Sequence, residues 1–247
     1  MIANWFIIYK KMISERSKNI LKAVIREFIK TGEPVSSGLI YENYDFGIKP
    51  AMIRQELFNL DKEGYLEQCY YSSGRIPTDK GYKFFVDEIL SEIEKDEEAK
   101  KININQSLLN LIQQMALDNF VKEFSKMFGL LSIITNIPEE KFIYKDGLEY
   151  LIDDLDWDNK QEIKRIIRDF ENIEENLYEV PEILNEENFL KIFIGKNPLI
   201  RSNAVSVVVG DYKVKDEKIL FLTVGSKRMN YEKTCKIFKG LKKYLYQ

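Results

Sequence analysis

Arg54 and Gln55 sit side by side near the start of a segment with helical periodicity, and Lys49 precedes them. Arginine can fork two N–H groups onto guanine, and glutamine can pair a donor and an acceptor with adenine. From a helix N-terminus such side chains read the major groove, with Lys49 supplying charge for a phosphate. Ala51 and Phe58 share the same outward side. A second group follows in YSSGRIPTDKGY (71–82), where Ser72 and Ser73 precede Gly74, then Arg75 and Lys80. Small hydroxyl residues beside a glycine let backbone N–H groups approach phosphates, and Arg75 adds charge there or enters a narrow minor groove. The alternatives are an ordinary solvated helix face for the first group and a plain hairpin tip for the second.

Other chemistries find less support. The chain has no histidine. That removes the commonest general base, the Ser-His-Asp and Cys-His nucleophiles, and histidine-based metal sites. Cys69 and Cys235 lie far apart without CxxC spacing, so no metal or redox site is expected and a reducing compartment is. In DDLDWD (153–158), Asp154, Asp156 and Asp158 match positions 1, 3 and 5 of an EF-hand loop. The match then fails, with Asn159 where the loop needs glycine and Arg165 where it needs glutamate. A helix start with dipole-favoured acids explains the run better. Gly225-Ser226-Lys227-Arg228 could hold an anion, but it lacks the Walker spacing and reads more simply as a strand-to-helix connection. No enzyme activity, cofactor or metal is expected.

The elements that must position these groups follow from periodicity. Ser14 caps a helix to about Thr31, with Ile20, Leu21, Val24, Ile25, Phe28 and Ile29 on its apolar stripe and Gly32 ending it. Ser36 or Ser37 caps a second helix through Tyr44, with Leu39 and Ile40 inward. The third starts at Lys49-Pro50, where proline suits the first helical position, and carries Ile53, Leu57 and Leu60 inward until Gly64. Tyr65 to Gln68 and Ile76 form a hairpin that Pro77-Thr78 stops. Thr78 then caps a helix bearing Tyr82, Phe85, Val86, Ile89, Leu90 and Ile93. Helix, helix, helix, hairpin, helix is the order of a winged helix.

Beyond it, residues 94–101 read as a solvated linker, and one helix is expected from Leu108 to Phe128, with Met127 among its buried residues. A buried strand (Leu130 to Thr135) and a short one at Phe142 to Tyr144 come next. One helix capped by Asp158 carries Ile163, Ile166, Ile167, Phe170, Ile173 and Leu177. Strands at Phe189 to Ile194, Ser206 to Val214 and Lys218 to Val224, and a helix from Asn230 to Leu245, complete an α+β reading with a mostly antiparallel sheet.

The length of 247 residues suits one to two domains, and 45% hydrophobic residues supply a core. No apolar run nears the roughly 20 residues that cross a membrane, and the run from Trp5 to Tyr9 is shorter than a signal-peptide core of about 7–15 residues. A cytoplasmic, nucleoid-associated location is expected, with residues 1–12 set apart as a candidate N-terminal extension. The net charge of −3 is uneven: residues 1–90 hold 13 basic and 12 acidic groups, the remainder 24 and 28. For a nucleic-acid partner, a small basic face counts for more than the total.

Three stretches resemble the heat-inducible transcription repressor HrcA family: TGEPVSSGLI (31–40), IRQELFNLDKEGYLEQ (53–68) and SSGRIPTDKGYKFFVD (72–87). Similar to its later segments are VGSKRMNYEKT (224–234), FIGKNP (193–198) with SVVVGDYK (206–213), and KDGLEYLIDD (145–154). The resemblance implies a homodimeric repressor that binds double-stranded DNA at an inverted-repeat operator, the CIRCE element, with the GroE chaperonin as a further partner. It implies a winged helix, a GAF-like domain and an inserted dimerizing domain. Between Thr135 and Gly147 there is almost no room for the central GAF-like strands or the insertion. The expected fold is therefore α+β: a winged helix-turn-helix over 13–93, a linker and helix over 94–128, and a reduced GAF-like antiparallel sheet with helices over 129–247. The 106–128 helix and the sheet are the candidate dimer contacts. A second class stays open, a winged-helix protein used for protein contact or nonspecific nucleic-acid binding without repression.

Overall fold

Capping hydroxyls set where the first helices begin. The computed structural model describes residues 13–69, 74–95, 104–136, 142–155, 160–177 and 189–245, in two units, Met1–Asp87 and Glu88–Gln247. Ser14 Oγ accepts the Ser17 N–H (3.1 Å) ahead of α1, Glu15–Thr31. Ile20, Leu21, Val24 and Ile25 are wholly buried, whereas Phe28 and Ile29 are only half-buried. Gly32 ends the helix at φ 74°, its N–H donating to the Phe28 carbonyl. Ser36 caps α2, Ser37–Asn43, which buries Ile40 and leaves Leu39 half-buried. The Tyr44 hydroxyl donates to Glu27 of α1 (3.0 Å), and burial with this carboxylate pushes the Tyr44 pKa up.

Next come α3, Pro50–Lys62, and a two-stranded antiparallel ribbon of β1, Leu66–Glu67, and β2, Ile76–Pro77. Pro77 belongs to β2 rather than stopping it. Helix α4, Asp79–Lys95, follows with Thr78 Oγ1 accepting the Gly81 N–H, and it buries Tyr82, Phe85, Val86, Ile89 and Ile93. The expected linker at 94–101 falls mostly outside the described residues.

The second unit is built on a five-stranded antiparallel sheet. Its strands are β3, Leu131–Asn136, β4, Ile143–Asp146, β5, Leu190–Ile194, β6, Val205–Val214, and β7, Glu217–Ser226, in the order β4-β3-β7-β6-β5. Alternation sends Leu131, Ile133, Val205, Val207, Val209, Leu220, Leu222 and Val224 into one core. There they meet Leu151 of α7, Leu148–Asp153, Ile166 of α8, Lys160–Glu171, and Ile173 and Leu177 of α9, Ile173–Leu177. The opposite face is aromatic. Phe221 lies 4.9–5.2 Å from the rings of Phe120, Phe124 and Phe238. Phe120 and Phe124 come from α6, Leu117–Phe128, and Phe238 from α10, Tyr231–Leu245. Gly210 leaves room for this layer, since a Cβ there would sit 2.6 Å from the Tyr212 side chain and 2.8 Å from Phe238.

Three further expectations are corrected. The helix expected from Leu108 to Phe128 is two, α5, Gln106–Gln113, and α6. Met115 turns left-handed at φ 61°, and the Met115 and Ala116 N–H groups bond back to the Ile112 and Leu111 carbonyls, a double closure that ends α5. Met127 is exposed because α6 turns its phenylalanines, not this position, toward the sheet. The helix expected through Leu177 breaks between α8 and α9, where Asn172 folds its side-chain amide onto the Arg168 carbonyl (3.0 Å). Asp158, its expected cap, lies outside the described residues. Helix α7 is an addition, opened by Gly147 at φ 91°, where any Cβ would meet the Leu130 carbonyl oxygen at 2.5 Å.

Cys235 of α10 is fully buried, and burial pushes its thiol up to about 12, while Cys69 is exposed. Brief iodoacetamide treatment of the native chain should modify Cys69 and spare Cys235, read by mass spectrometry. Phe221→Ala should destabilise the second unit by roughly 3–5 kcal/mol and open Cys235 to labelling at lower urea. A Cys235 that reacts as fast as Cys69 in the native protein contradicts this core.

Candidate nucleic-acid interface

Helix α3 is anchored by Ile53, Leu57 and Leu60, all buried, and its exposed residues are Ala51, Met52, Arg54, Gln55, Phe58, Asn59 and Lys62. Pro50 occupies the first turn and Lys49 the N-cap position, with no side-chain cap bond. The two acids within α3 are both engaged from the side. Glu56 accepts from Ser17 Oγ of α1 (2.8 Å), and Asp61 pairs with Arg75 Nε (2.7 Å). The exposed face of α3 therefore carries no carboxylate. Gln55 Nε2 donates to Asn59 Oδ1 (3.1 Å), one turn on, which holds the Gln55 amide along the helix.

The ribbon is fastened to the same helix. Val35, in the turn between α1 and α2, exchanges two backbone hydrogen bonds with Arg75, at 2.8 and 2.9 Å. The adjoining Gly74 has no space for a side chain, because a Cβ there would be 2.5 Å from the Val35 carbonyl carbon. The Arg75 guanidinium reaches Asp61, and Lys80 Nζ donates to the Glu63 carbonyl (2.6 Å) while lying 4.1 Å from the Tyr65 ring centroid. Thr78 Oγ1 donates to the Gly64 carbonyl (2.7 Å). Lys80 and Thr78 thus serve carbonyls that the end of α3 leaves over.

The structure brings Lys49, Ala51, Arg54, Gln55 and Phe58 onto or beside one exposed helix face. It places Arg75 and Lys80 at the C-terminal end of α3, beside Asp61 and Glu63, roughly 10 Å along the axis from Arg54. Ser72 and Ser73 lie outside the described residues. Met52 and Asn59 belong to the exposed set as well, and their spacing from Gln55, three and four residues, could have shown it. The Asp61–Arg75 pair had no local signal. In the second unit, the Gly225–Arg228 loop spends its groups on Asp154: Ser226 Oγ bonds the carboxylate, and Arg228 Nη2 lies 3.6 Å from it. This suits a strand-to-helix connection.

Comparison with known proteins decides the family. The model of the "HrcA protein C terminal domain" matches residues 85–235. The chain belongs to the HrcA family. It is 33% identical over 200 residues to the heat-inducible transcription repressor HrcA of Alkaliphilus metalliredigens, covering 81% of this chain and 57% of that one. It is 47% identical over 90 residues to the HrcA of Desulforudis audaxviator, covering 36% and 26%. The chain thus spans between about a quarter and three-fifths of the length of these HrcA relatives. A crystal structure of a hypothetical protein at 2.2 Å resolution shares the fold, with a TM-score of 0.72 and 16% identity over 94% of this chain and 98% of that one.

Removing Arg75 leaves Asp61 partly buried without its cation. Arg75→Ala should lower the stability of the first unit by about 1 kcal/mol, a modest figure because both groups keep some solvent. Amide exchange at Val35 and at backbone position 75 should speed up in the variant, and unchanged exchange there contradicts a fastening role.

Proposed function

We propose that this chain is a DNA-binding transcriptional repressor of stress genes, acting from a winged helix over 13–93. The acid-free face of α3, with Arg54 and Gln55 beside a Lys49 that precedes its first turn, carries this reading. A duplex demands cations for phosphate and flat hydrogen-bonding groups for base edges, and the face supplies both. Family membership supports it, since the relatives carry the name heat-inducible transcription repressor.

Arg54 reads guanine, Gln55 reads adenine, Lys49 meets phosphate, and Ala51 and Phe58 fill the surface between them. Ser72 and Ser73 approach phosphate at the ribbon tip. Arg75 and Lys80 serve the interface from the base of the ribbon, which they hold against α3. Residues 94–128 comprise a linker followed by α5 and α6, and 129–247 a reduced GAF-like domain. The operator is an inverted repeat of the CIRCE kind, and two copies of the chain bind it, because a palindrome asks for two-fold symmetry. The location is cytoplasmic, in keeping with the fact that no described helix is long and apolar enough to cross a membrane. GroE is the proposed regulator.

The test measures binding of the purified chain to a CIRCE duplex and a scrambled one across a salt series, with mass determined in solution. Arg54→Ala should cost roughly 1–3 kcal/mol on the operator alone, whereas Lys49→Ala should weaken both duplexes alike. Equal affinity of the unaltered chain for the two duplexes supports the nonspecific alternative instead.

A further inference from the structure

Among the described residues, Tyr41, Met52, Phe58 and Met127 are the large apolar side chains left exposed, and three of the four lie on α2 and α3. Met52 is 47% exposed and Phe58 54%. Neither is needed by the core, which takes Ile53, Leu57 and Leu60 from the other side of the helix. Both stand among Arg54, Gln55, Asn59 and Lys62 on a face without carboxylates. A purely electrostatic DNA contact has no use for such groups, and water penalises their exposure. They gain only where the partner presents something apolar between its phosphates.

The major groove has one such feature. Adenine, guanine and cytosine edges present polar donors and acceptors with only ring C–H groups beside them, and thymine alone projects a methyl group. The spacing on α3 also matters. Phe58 follows Arg54 by one turn (i, i+4), and Met52 precedes Gln55 by one turn (i, i+3), so each polar reader has an apolar neighbour on its own row.

Resting on the DNA-reading role given to α3 above, we propose that Met52 and Phe58 read thymine 5-methyl groups in the operator half-site. Phe58 sets a thymine beside the base pair that Arg54 reads, and Met52 sets one beside the pair that Gln55 reads. Specificity on this face then comes from hydrogen bonds and methyl contacts together.

Deoxyuracil lacks only the methyl, which makes the test direct. Fluorescence anisotropy would compare a CIRCE duplex, the same duplex with every thymine replaced by deoxyuracil, and a random duplex. The full chain, Met52→Ala and Phe58→Ala would each be titrated. The unaltered chain should bind the uracil duplex more weakly, by about fourfold for each methyl contacted, the worth of one buried methylene. Each variant should lose affinity for the thymine duplex and show a smaller uracil penalty. Both side chains are exposed, so the variants should keep the circular dichroism of the parent.

Equal binding to thymine and uracil duplexes, with preference over random DNA retained, overturns this inference and leaves the proposed function standing. A uracil penalty undiminished in both variants overturns it too, because the methyls then act through other residues or through duplex shape. Absence of any preference for the CIRCE duplex removes both readings together.

Discussion

Burial of Ile53, Leu57 and Leu60 fixes the rotation of α3 about its own axis, and everything on its outer face depends on that angle. Each residue along a helix turns by about 100°, so moving the buried stripe by one position would swing Arg54 toward α1 and bring Glu56 outward. The flanking contacts guard the same angle. Ser17 holds Glu56 on one flank, and Arg75 holds Asp61 near the far end. The two carboxylates that would oppose a polyanion are drawn aside by groups that also fasten the helix.

Much of the first unit was legible in local signals, and the reasons are physical. Ser14, Ser36 and Pro50 mark helix starts because each answers the unpaired N–H groups of a first turn, and Gly32 and Gly64 mark reversals because they alone adopt positive φ at no cost. The outward face of α3 followed from the same periodicity. Illegible were the partners of Arg75 and Lys80. Both looked like free cations beside a turn, and their engagement by Asp61 and the Glu63 carbonyl arises from the ribbon folding back along α3.

The second unit shows where periodicity misleads. An apolar stripe from Leu108 to Phe128 says which side of a segment is buried, and says nothing of whether the axis runs straight. Met115 is an ordinary helix former, yet it turns left-handed, and α5 and α6 pack on each other across that turn. The strands were easier, because a sheet covered on both faces needs mostly apolar runs, and Val205–Val209 and Ile219–Val224 supply them with Ser206 and Thr223 as their only polar members.

The bridge between Val35 and Arg75 has a consequence for how the first unit assembles. Its two backbone hydrogen bonds close a loop that contains all of α2, α3 and β1. Closing so long a stretch of chain gains little until the enclosed helices are compact enough to shorten it. Loop-closure entropy therefore favours forming the ribbon base after α2 and α3 have compacted. A misplaced α2 or α3 would therefore cost the chain the ribbon base as well, which couples the ribbon to the seating of both helices.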